Sequence, residues 1–266
     1  MKTLVMKFGG ASVATSSHFA MIAKKIIEAK KSYQNIVVVV SAMANETEAL
    51  IKLAHEVNPS PPRREMDMLV SVGERISISL LAMALDVQGE KAISFTGSQS
   101  GIITCGRHFD ARIVEVKPRR VLENLEKGLI VIVAGFQGVS RAGEITTLGR
   151  GGSDTTAVAL AIALNADKVL FFKDVAGIYD HDPKVDPQAR FYSSLTYSDA
   201  LEIVLKGAKV LHPRSIALAK KNHMPLHVCS FNDVEESCKQ GTMIGVYPKG
   251  NESIAIYEEA LEYVTA

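Results

Sequence analysis

The chain has 266 residues, 47% of them hydrophobic, which is enough to bury a large core and excludes a disordered or fibrous protein. Lys and Arg total 30 against 29 for Asp and Glu, and the resulting net charge of +1 indicates neither nucleic acid nor a membrane surface as the main partner. Length and composition therefore allow one large α/β domain or two lobes.

The targeting and cysteine patterns predict a cytoplasmic protein. The chain begins with a short strand-like stretch, without the longer apolar run and cleavage site of a secretory signal. No segment reaches the roughly 18 consecutive apolar residues of a membrane span. Cys105, Cys229 and Cys238 are odd in number and widely spaced, so they predict ordinary thiols rather than a disulfide framework or a zinc cluster.

Short apolar runs alternate along the chain with longer segments of helical spacing. The run IVVVV at 36–40 is apolar at every position, as expected for a strand covered by helices on both faces. This alternation predicts a doubly wound α/β fold, with a mainly parallel central sheet and helices on both faces. The predicted strands are 3–8, 36–40, 92–95, 129–134, 169–172 and 226–228. The predicted helices are 17–31, 65–85, 118–127, 153–164, 198–205 and 213–222.

Two connections have the composition of turns. The segment NPSPPRR at 58–64 is too rich in proline for a helix or strand interior and predicts an exposed connection between helices. The segment 136–148, with Gly138 and Gly143, predicts a hairpin before the next helix. In doubly wound sheets ligands bind beyond the carboxyl ends of the strands, so candidate site residues are sought in the loops that follow strands.

The first such loop is Lys7-Phe8-Gly9-Gly10. Two glycines allow backbone N–H groups to approach phosphate oxygens at a helix start, and Lys7 supplies a positive charge beside them. The order differs from a P-loop, because the lysine precedes the glycines. A glycine turn next to a solvated lysine is the alternative interpretation.

The second glycine-rich loop, 147–156, is more specific. Arg150 lies among three glycines, and Ser153 and Asp154 follow at the start of an apolar helix. A helix cap would explain one of these polar residues but neither the arginine nor the glycines. An arginine fork beside exposed amides suits a carboxylate or phosphate, so the loop predicts an anion site.

Three further positions are ambiguous from the residues alone. Taken by itself, Glu74 is more simply interpreted as a solvated helix glutamate paired with Arg75, and Ser41 as a strand-end hydroxyl that satisfies backbone groups. Tyr179 and the lysines near it suit an adenosine and its phosphates. The cluster Asp180, His181 and Asp182 resembles metal ligands, but Asp before Pro is a common turn former, so no metal site is assigned with certainty.

Eight collinear strings between residues 2 and 245 resemble the catalytic domain of the aspartate kinases, within the amino acid kinase superfamily. The strings are KFGGAS, VVVVSAM, EMDMLVSVGERIS, SFTGSQSG, GFQG, TTLGRGGSDTTA, KDVAGIYDHDP and GAKVLHP. The resemblance implies a three-layer sandwich that transfers phosphate from ATP, with Mg²⁺, to the side chain of L-aspartate. The product, 4-phospho-L-aspartate, leads toward lysine, threonine and methionine. A carboxylate with a pKa near 4 is ionised at neutral pH, so this reaction needs no general base.

The resemblance also assigns roles to residues. Lys7 and Asp154 are catalytic: Lys7 stabilises the transferred group, and Asp154 orients Lys7 or water on magnesium. Arg150 binds the α-carboxylate of aspartate, and Glu74 binds its α-ammonium group. The remaining aspartate-site positions are Ser41, Thr47, Gly151, Gly152 and Ser153. The nucleotide-side positions are Lys7, Phe8, Gly9, Gly10, Lys173, Asp174, Tyr179, Lys184 and Lys209.

The implied domain plan is a catalytic domain at 1–248, with an amino-acid lobe at about 1–150 and a nucleotide lobe at about 151–248, and a short tail at 249–266. Aspartate kinases usually continue into paired ACT regulatory domains, and we expect this chain to be without them. Natural lack of regulation, a separate regulatory subunit and a shortened chain are the three alternatives. A homodimer through catalytic-domain surfaces is also expected.

Three positions depart from the family pattern, all on the nucleotide side. Lys173 replaces a usual Thr or Ser, Ala176 a common Asp, and Lys184 a usual Arg. Lys184 keeps the charge but not the planar fork of arginine. Two other functions stay open: a superfamily member that acts on a different small acid, and a non-catalytic protein that senses ATP or aspartate.

Overall fold

A computed structural model of the chain describes residues 2–232, 241–245 and 255–258. The predicted boundary at 248 and most of the predicted tail at 249–266 lie outside this part of the chain. The helices are α1 (Ser16–Lys30), α2 (Glu46–Val57), α3 (Arg63–Val70), α4 (Val72–Val87), α5 (Arg119–Leu125), α6 (Gly152–Ala163), α7 (Tyr197–Leu205) and α8 (Pro213–Lys221). The strands are β1 (Thr3–Phe8), β2 (Asn35–Val40), β3 (Ala92–Phe95), β4 (Ile102–Thr104), β5 (Ile113–Val116), β6 (Ile130–Ala134), β7 (Gln137–Ser140), β8 (Ile145–Thr147), β9 (Lys168–Lys173), β10 (Ile178–Tyr179), β11 (Phe191–Tyr192), β12 (Ser194–Leu195), β13 (Leu226–Ser230) and β14 (Thr242–Ile244).

The central sheet has eight strands within the described residues, in the order β12-β14-β13-β9-β1-β2-β6-β3. From β13 to β3 every neighbouring pair is parallel, and β14 runs antiparallel to β13. The predicted, mainly parallel sheet is confirmed. Phe8 is in register with Val40 on β2 and with Phe172 on β9, so these three strands end at one edge of the sheet.

Both faces of the sheet are covered by helices. Along β2, Val37 and Val39 belong to a core shared with α5, α6, α7 and α8. Val38 and Val40 belong to a second core, shared with α1 and α4. A strand buried on both faces needs apolar side chains at every position, which is why this run is uninterrupted valine. The predicted three-layer α/β architecture is confirmed.

A smaller, four-stranded sheet, β5-β4-β7-β8, interrupts the alternation of strands and helices. Its β7–β8 pair is the predicted hairpin at 136–148, with Gly143 in the turn at φ 85°. The strict alternation expected from the sequence is wrong here. Strands β4 and β5 are only three and four residues long, too short for a clear periodic pattern.

The helices differ from the predicted ones in two places. The single helix predicted at 65–85 is divided into α3 and α4 at Ser71, whose Oγ donates to Met68 O at 3.1 Å. Helix α2 was not predicted, and it buries none of its residues fully. The predicted connection at 58–64 joins α2 to α3, but its last two residues belong to α3.

The stretch Arg63–Val87 is long and apolar enough, by length and composition alone, to cross a membrane. In the structure it is divided between two helices, and 44% of its most apolar window is buried in the protein. Residues of α4 pack against α1 and the central sheet, and the helix carries the buried Glu74. These contacts are those of a core helix.

The cysteines differ in state. Cys105 is free, as expected, whereas Cys229 on β13 is disulfide-bonded. The prediction of an ordinary thiol is therefore wrong for Cys229. Cys238 lies outside the described residues.

Candidate active site

A cavity of about 590 Å³ lies beyond the carboxyl ends of β1 and β2 and at the start of α6. This first cavity brings together ten of the residues that the sequence singled out. They are Lys7, Gly10, Ser41, Thr47, Glu74, Arg150, Gly151, Gly152, Ser153 and Asp154. The two glycine-rich segments and the first turn of α4 are far apart in the chain, but they line the same cavity.

Glu74 presents a buried carboxylate to the first cavity. Its Oε1 accepts a hydrogen bond from Ala42 N at 3.1 Å. The close approach depends on Gly73, because a Cβ there would lie 2.7 Å from Ala42 Cβ. Among the described residues, Glu74 Oε2 has no hydrogen-bond partner. A buried carboxylate oxygen without a partner is unfavourable, so it indicates a site for a cationic ligand group.

Burial raises the pKa of Glu74 to about 7, although the Ala42 N–H and the charge of Lys7 act in the opposite direction. The carboxylate is therefore divided between its two protonation states near neutral pH. An ammonium group bound beside it would favour the ionised form.

The start of α6 is shaped by glycine. Gly151, which precedes the helix, has φ 70°, and a Cβ there would lie 2.2 Å from His212 Cβ. Any other residue would clash in a backbone conformation that side chains disfavour. This turn presents Arg150 at the mouth of the cavity, and within the described residues no carboxylate forms an ion pair with it. The guanidinium is available to an anion at a helix N-terminus.

Lys7, Asp154 and Lys173 form a charged trio, and two of its members, Lys7 and Asp154, line the first cavity. Lys7 Nζ lies 2.6 Å from Asp154 Oδ1, and Lys173 Nζ lies 3.2 Å from Asp154 Oδ2. Neighbouring strands bring the two lysines together, because β1 pairs with β9. The trio has two positive charges and one negative charge, so it carries a net positive charge when all three groups are ionised.

The pKa values within the trio have opposing causes. Burial lowers the pKa of Lys7, and Lys173 lowers it further, while Asp154 opposes both. For Asp154, burial acts to raise the pKa, but the ammonium groups of Lys173 and Lys7 outweigh it and lower the pKa below its usual value. Asp154 is therefore ionised at neutral pH and serves as an anchor for two lysines.

Three residues other than glycine line the first cavity with left-handed backbone: Asn45, Phe109 and Phe136, with φ of 66°, 69° and 67°. Such conformations are unfavourable by about 1–3 kcal/mol for residues other than glycine and cluster at functional sites. The sequence prediction missed all three. The identity of a phenylalanine gives no signal of a positive φ, whereas Asn45 is a residue type that adopts it more readily.

A second cavity, of about 660 Å³, is lined by five of the predicted nucleotide-side residues. They are Lys173, Asp174, Tyr179, Lys184 and Lys209. Lys184 Nζ forms an ion pair with Asp174 Oδ2, and this bond lowers the pKa of Asp174. Since Lys173 lines the second cavity and Lys7 and Asp154 line the first, the charged trio joins the two spaces.

Two predicted residues line neither cavity. The Phe8 side chain is fully buried and stacks on Phe172 with ring centroids 4.4 Å apart. Only its backbone could therefore face a ligand. Gly9 lies next to the ammonium group of Lys7. A Cβ added to this glycine would be 3.4 Å from Lys7 Nζ. A turn begins at Asp182, whose Oδ1 accepts from Lys184 N at 2.9 Å and whose backbone O accepts from Val185 N at 3.0 Å, as the turn interpretation predicts.

The chain is similar to known proteins over most of its length. The chain matches the model of the amino acid kinase family over residues 2–230, and it belongs to that family. Among individual proteins, it is 48% identical over 246 residues to the aspartokinase of Mycolicibacterium smegmatis, covering 92% of this chain and 57% of that protein.

Solved structures show the same similarity. Aspartate kinase from Synechocystis has a TM-score of 0.82 at 41% identity, over 94% of this chain and 41% of that one. E. coli aspartokinase III, solved in complex with aspartate and ADP, has a TM-score of 0.80 at 30% identity, over 91% of this chain and 64% of that one. The chain spans about half the length of the curated relatives it matches.

Proposed function

We propose that this chain phosphorylates the side-chain carboxylate of L-aspartate with ATP, giving 4-phospho-L-aspartate and ADP. The observation that carries the proposal is the presence of two oppositely charged residue types, Glu74 and Arg150, in the lining of the first cavity. Glu74 Oε2 is buried without a described partner and suits an α-ammonium group, while Arg150 suits an α-carboxylate. A site that binds both an α-ammonium and an α-carboxylate group favours a free amino acid as the substrate. The names of the similar proteins support aspartate as that amino acid.

The charged trio suits phosphoryl transfer. A phosphoryl group passing from the second cavity to the first meets Lys7 and Lys173, which neutralise charge that builds up on its oxygens. Asp154 holds both ammonium groups in place before ATP binds, so that little reorganisation is needed during transfer. The attacking carboxylate is already ionised, so no side chain has to remove a proton from it.

The residues also fit a magnesium ion that ATP carries. Within the described residues no group of three or more His, Cys, Asp or Glu side chains could hold a metal by itself. Kinases hold Mg²⁺ through one or two carboxylates and the phosphates of the nucleotide. Asp154 is the carboxylate next to both cavities, and it would orient such an ion or its water. When bound, the ion would neutralise phosphate charge.

The decisive experiment measures ADP formation with L-aspartate and traps the acyl phosphate with hydroxylamine as the hydroxamate. We expect both products in equal amounts, and both should depend on aspartate and on Mg²⁺. No aspartate-dependent turnover across ordinary ATP and Mg²⁺ concentrations would refute the proposal. Calorimetric binding of aspartate without turnover would instead favour a non-catalytic sensor.

A second candidate is a family member acting on another small acid. Glutamate and N-acetylglutamate, tested beside aspartate, separate the alternatives. An acylated amine has no charge to pair with Glu74, so N-acetylglutamate should be a poor substrate if Glu74 has the proposed role. A preference for either compound over aspartate would favour this candidate.

The lobe boundary near residue 150 stays a prediction, because the second cavity is lined only by residues from Lys173 onward but the first has lining residues on both sides of that boundary. A homodimer is supported by exposed apolar side chains along α3 and α4, which are Met68, Val72, Ile76 and Met83.

Three further points stay predictions. They are a cytoplasmic location, a separate regulatory subunit, and a role in the synthesis of lysine, threonine and methionine.

A further inference from the structure

A buried carboxylate that none of the roles above uses, Asp67, lies behind the wall of the first cavity. It belongs to α3, none of its surface is exposed, and its neighbours Met66 and Val70 are also buried. A buried carboxylate is unfavourable unless hydrogen bonds satisfy it, so its partners show what the position does.

Asp67 accepts hydrogen bonds from two separate segments of the cavity wall. Thr147 Oγ1 donates to Oδ1 at 2.5 Å, and Phe109 N lies 3.1 Å from Oδ1 and 3.2 Å from Oδ2. His108 Nδ1 lies 2.6 Å from Oδ2. Phe109 lines the first cavity, and Thr147 ends the strand that leads to Arg150. One carboxylate therefore fixes both segments.

The backbone of Phe109 needs such a partner. Its φ of 69° is rarely adopted by a bulky residue, so neighbouring groups must hold it there. The bonds from Phe109 N to Asp67 do this directly. Arg214 holds the same two segments through Ala111 O, at 3.1 Å, and through Leu148 O.

We infer that Asp67 is a positioning residue for the acceptor substrate. It keeps Phe109 in the left-handed conformation and fixes the segment that leads to Arg150, so the first cavity has its shape before a ligand binds. The inference deepens the proposed function, and its kinetic test rests on that function. The three residues that bond to Asp67 line no part of the second cavity, so ATP binding should not depend on it.

The kinetic test is Asp67→Asn, which keeps the shape of the side chain and removes its charge and one acceptor. We expect KM for L-aspartate to rise about tenfold, since hydrogen bonds to a charged group are lost. The values of kcat and of KM for ATP should stay within about threefold. Thr147→Val removes one donor and should have a smaller effect in the same direction. Asp86→Asn, an exposed acid on α4, is the matched control.

A double-mutant cycle with Phe109→Gly tests the backbone argument. Glycine adopts a positive φ without strain, so Asp67→Asn should raise KM less in the Phe109→Gly background than in the wild type. Equal effects in the two backgrounds would contradict the role assigned to the Phe109 N–H bonds.

Hydrogen exchange gives a readout that does not require turnover. In Asp67→Asn, amides at 108–111 and 147–150 should exchange faster while the central sheet is unchanged. If the wild type does not use aspartate, the proposed function fails and this measurement still decides the inference. Unchanged local exchange, or a uniform increase across the whole chain, would overturn it. If Asp67→Asn does not fold, hydrogen exchange is measured in Thr147→Val instead.

Discussion

One ion pair in the first cavity and one in the second differ in how far they are buried. In the first cavity the side chains of Lys7 and Asp154 expose only 6% and 7% of their surface, whereas in the second those of Lys184 and Asp174 expose 60% and 55%. Removing charges from water costs several kcal/mol per ion, and only close partners offset it. Exposed pairs contribute little because solvent screens them. Substitutions should therefore have large effects in the first cavity and small ones in the second.

The largest effect is expected for Lys7→Ala. The substitution removes the buried ammonium group that would face the phosphoryl group in the proposed reaction, and it leaves Asp154 with one lysine. We expect kcat at saturating aspartate to fall about 100- to 1,000-fold, as for other preorganised groups that stabilise a transition state. Lys52→Ala, on the exposed surface of α2, should leave kcat unchanged. Retention of most activity in Lys7→Ala would show that the first glycine loop has another role.

Arg150→Ala should act on binding of the acceptor. Loss of a charge-assisted bidentate contact should raise KM for L-aspartate about 10- to 100-fold and leave KM for ATP nearly unchanged. Arg150→Lys keeps the charge without the planar fork and should lie between the wild type and Arg150→Ala. Equal increases in both KM values would contradict an acceptor-specific role. Initial-rate kinetics with each substrate varied separately measure the difference.

Glu74→Gln should weaken aspartate binding and stabilise the free protein. Because the pKa of Glu74 is raised from 4.5 to about 7, its contribution to stability is complete below pH 4.5 and is lost as pH rises through 7. That shift corresponds to about 3 kcal/mol, which Glu74→Gln should recover at pH 8 but not at pH 4.5. Urea unfolding at the two pH values measures the gain. An equal change at both would exclude ionisation of Glu74 as its cause.

Aspartate binding should depend on pH for the same reason. Only ionised Glu74 pairs with an α-ammonium group, so affinity in the wild type should fall as pH drops below about 7. Glu74→Gln should bind weakly at every pH, and calorimetry across that range compares the two proteins.

The smallest effect is expected for Lys184→Ala in the second cavity. Its ion pair with Asp174 is exposed, so the melting temperature should not change. A single solvent-screened contact to a phosphate should change KM for ATP at most about fivefold. A loss as large as that of Lys7→Ala would show that the second cavity closes and buries Lys184 when ATP binds.

The sequence predicts the central sheet and the first cavity well for one physical reason. In a parallel sheet the loops after neighbouring strands meet at one edge, so the loops that hold Lys7 and Ser41 come together without knowledge of any side-chain contact. The start of α6 adds Arg150 and Asp154 because a glycine turn before a helix is visible in the residues.

The positioning contacts could not be predicted in the same way. Asp67 gave one weak signal, an acid between two methionines in a helical pattern, but its partners lie 41 and 80 residues away. The contact between Lys173 and Asp154 depends on the pairing of β9 with β1, and a strand order is not encoded locally. Phe109 and Phe136 owe their backbone conformations to tertiary contacts, which leave no trace in residue type.

The contacts of Glu258 have a consequence for chain synthesis. Its Oε2 accepts from Ile113 N at 2.8 Å, 145 residues earlier in the chain, and its Oε1 lies 2.7 Å from the Arg214 guanidinium. Arg214 in turn donates to Leu148 O, beside the loop of Arg150. A nascent chain that has not yet released residue 258 from the ribosome would already contain every residue of the first cavity. It would still lack Glu258, the carboxylate that pairs with Arg214, which bonds to Leu148 O and Ala111 O in the wall of the cavity.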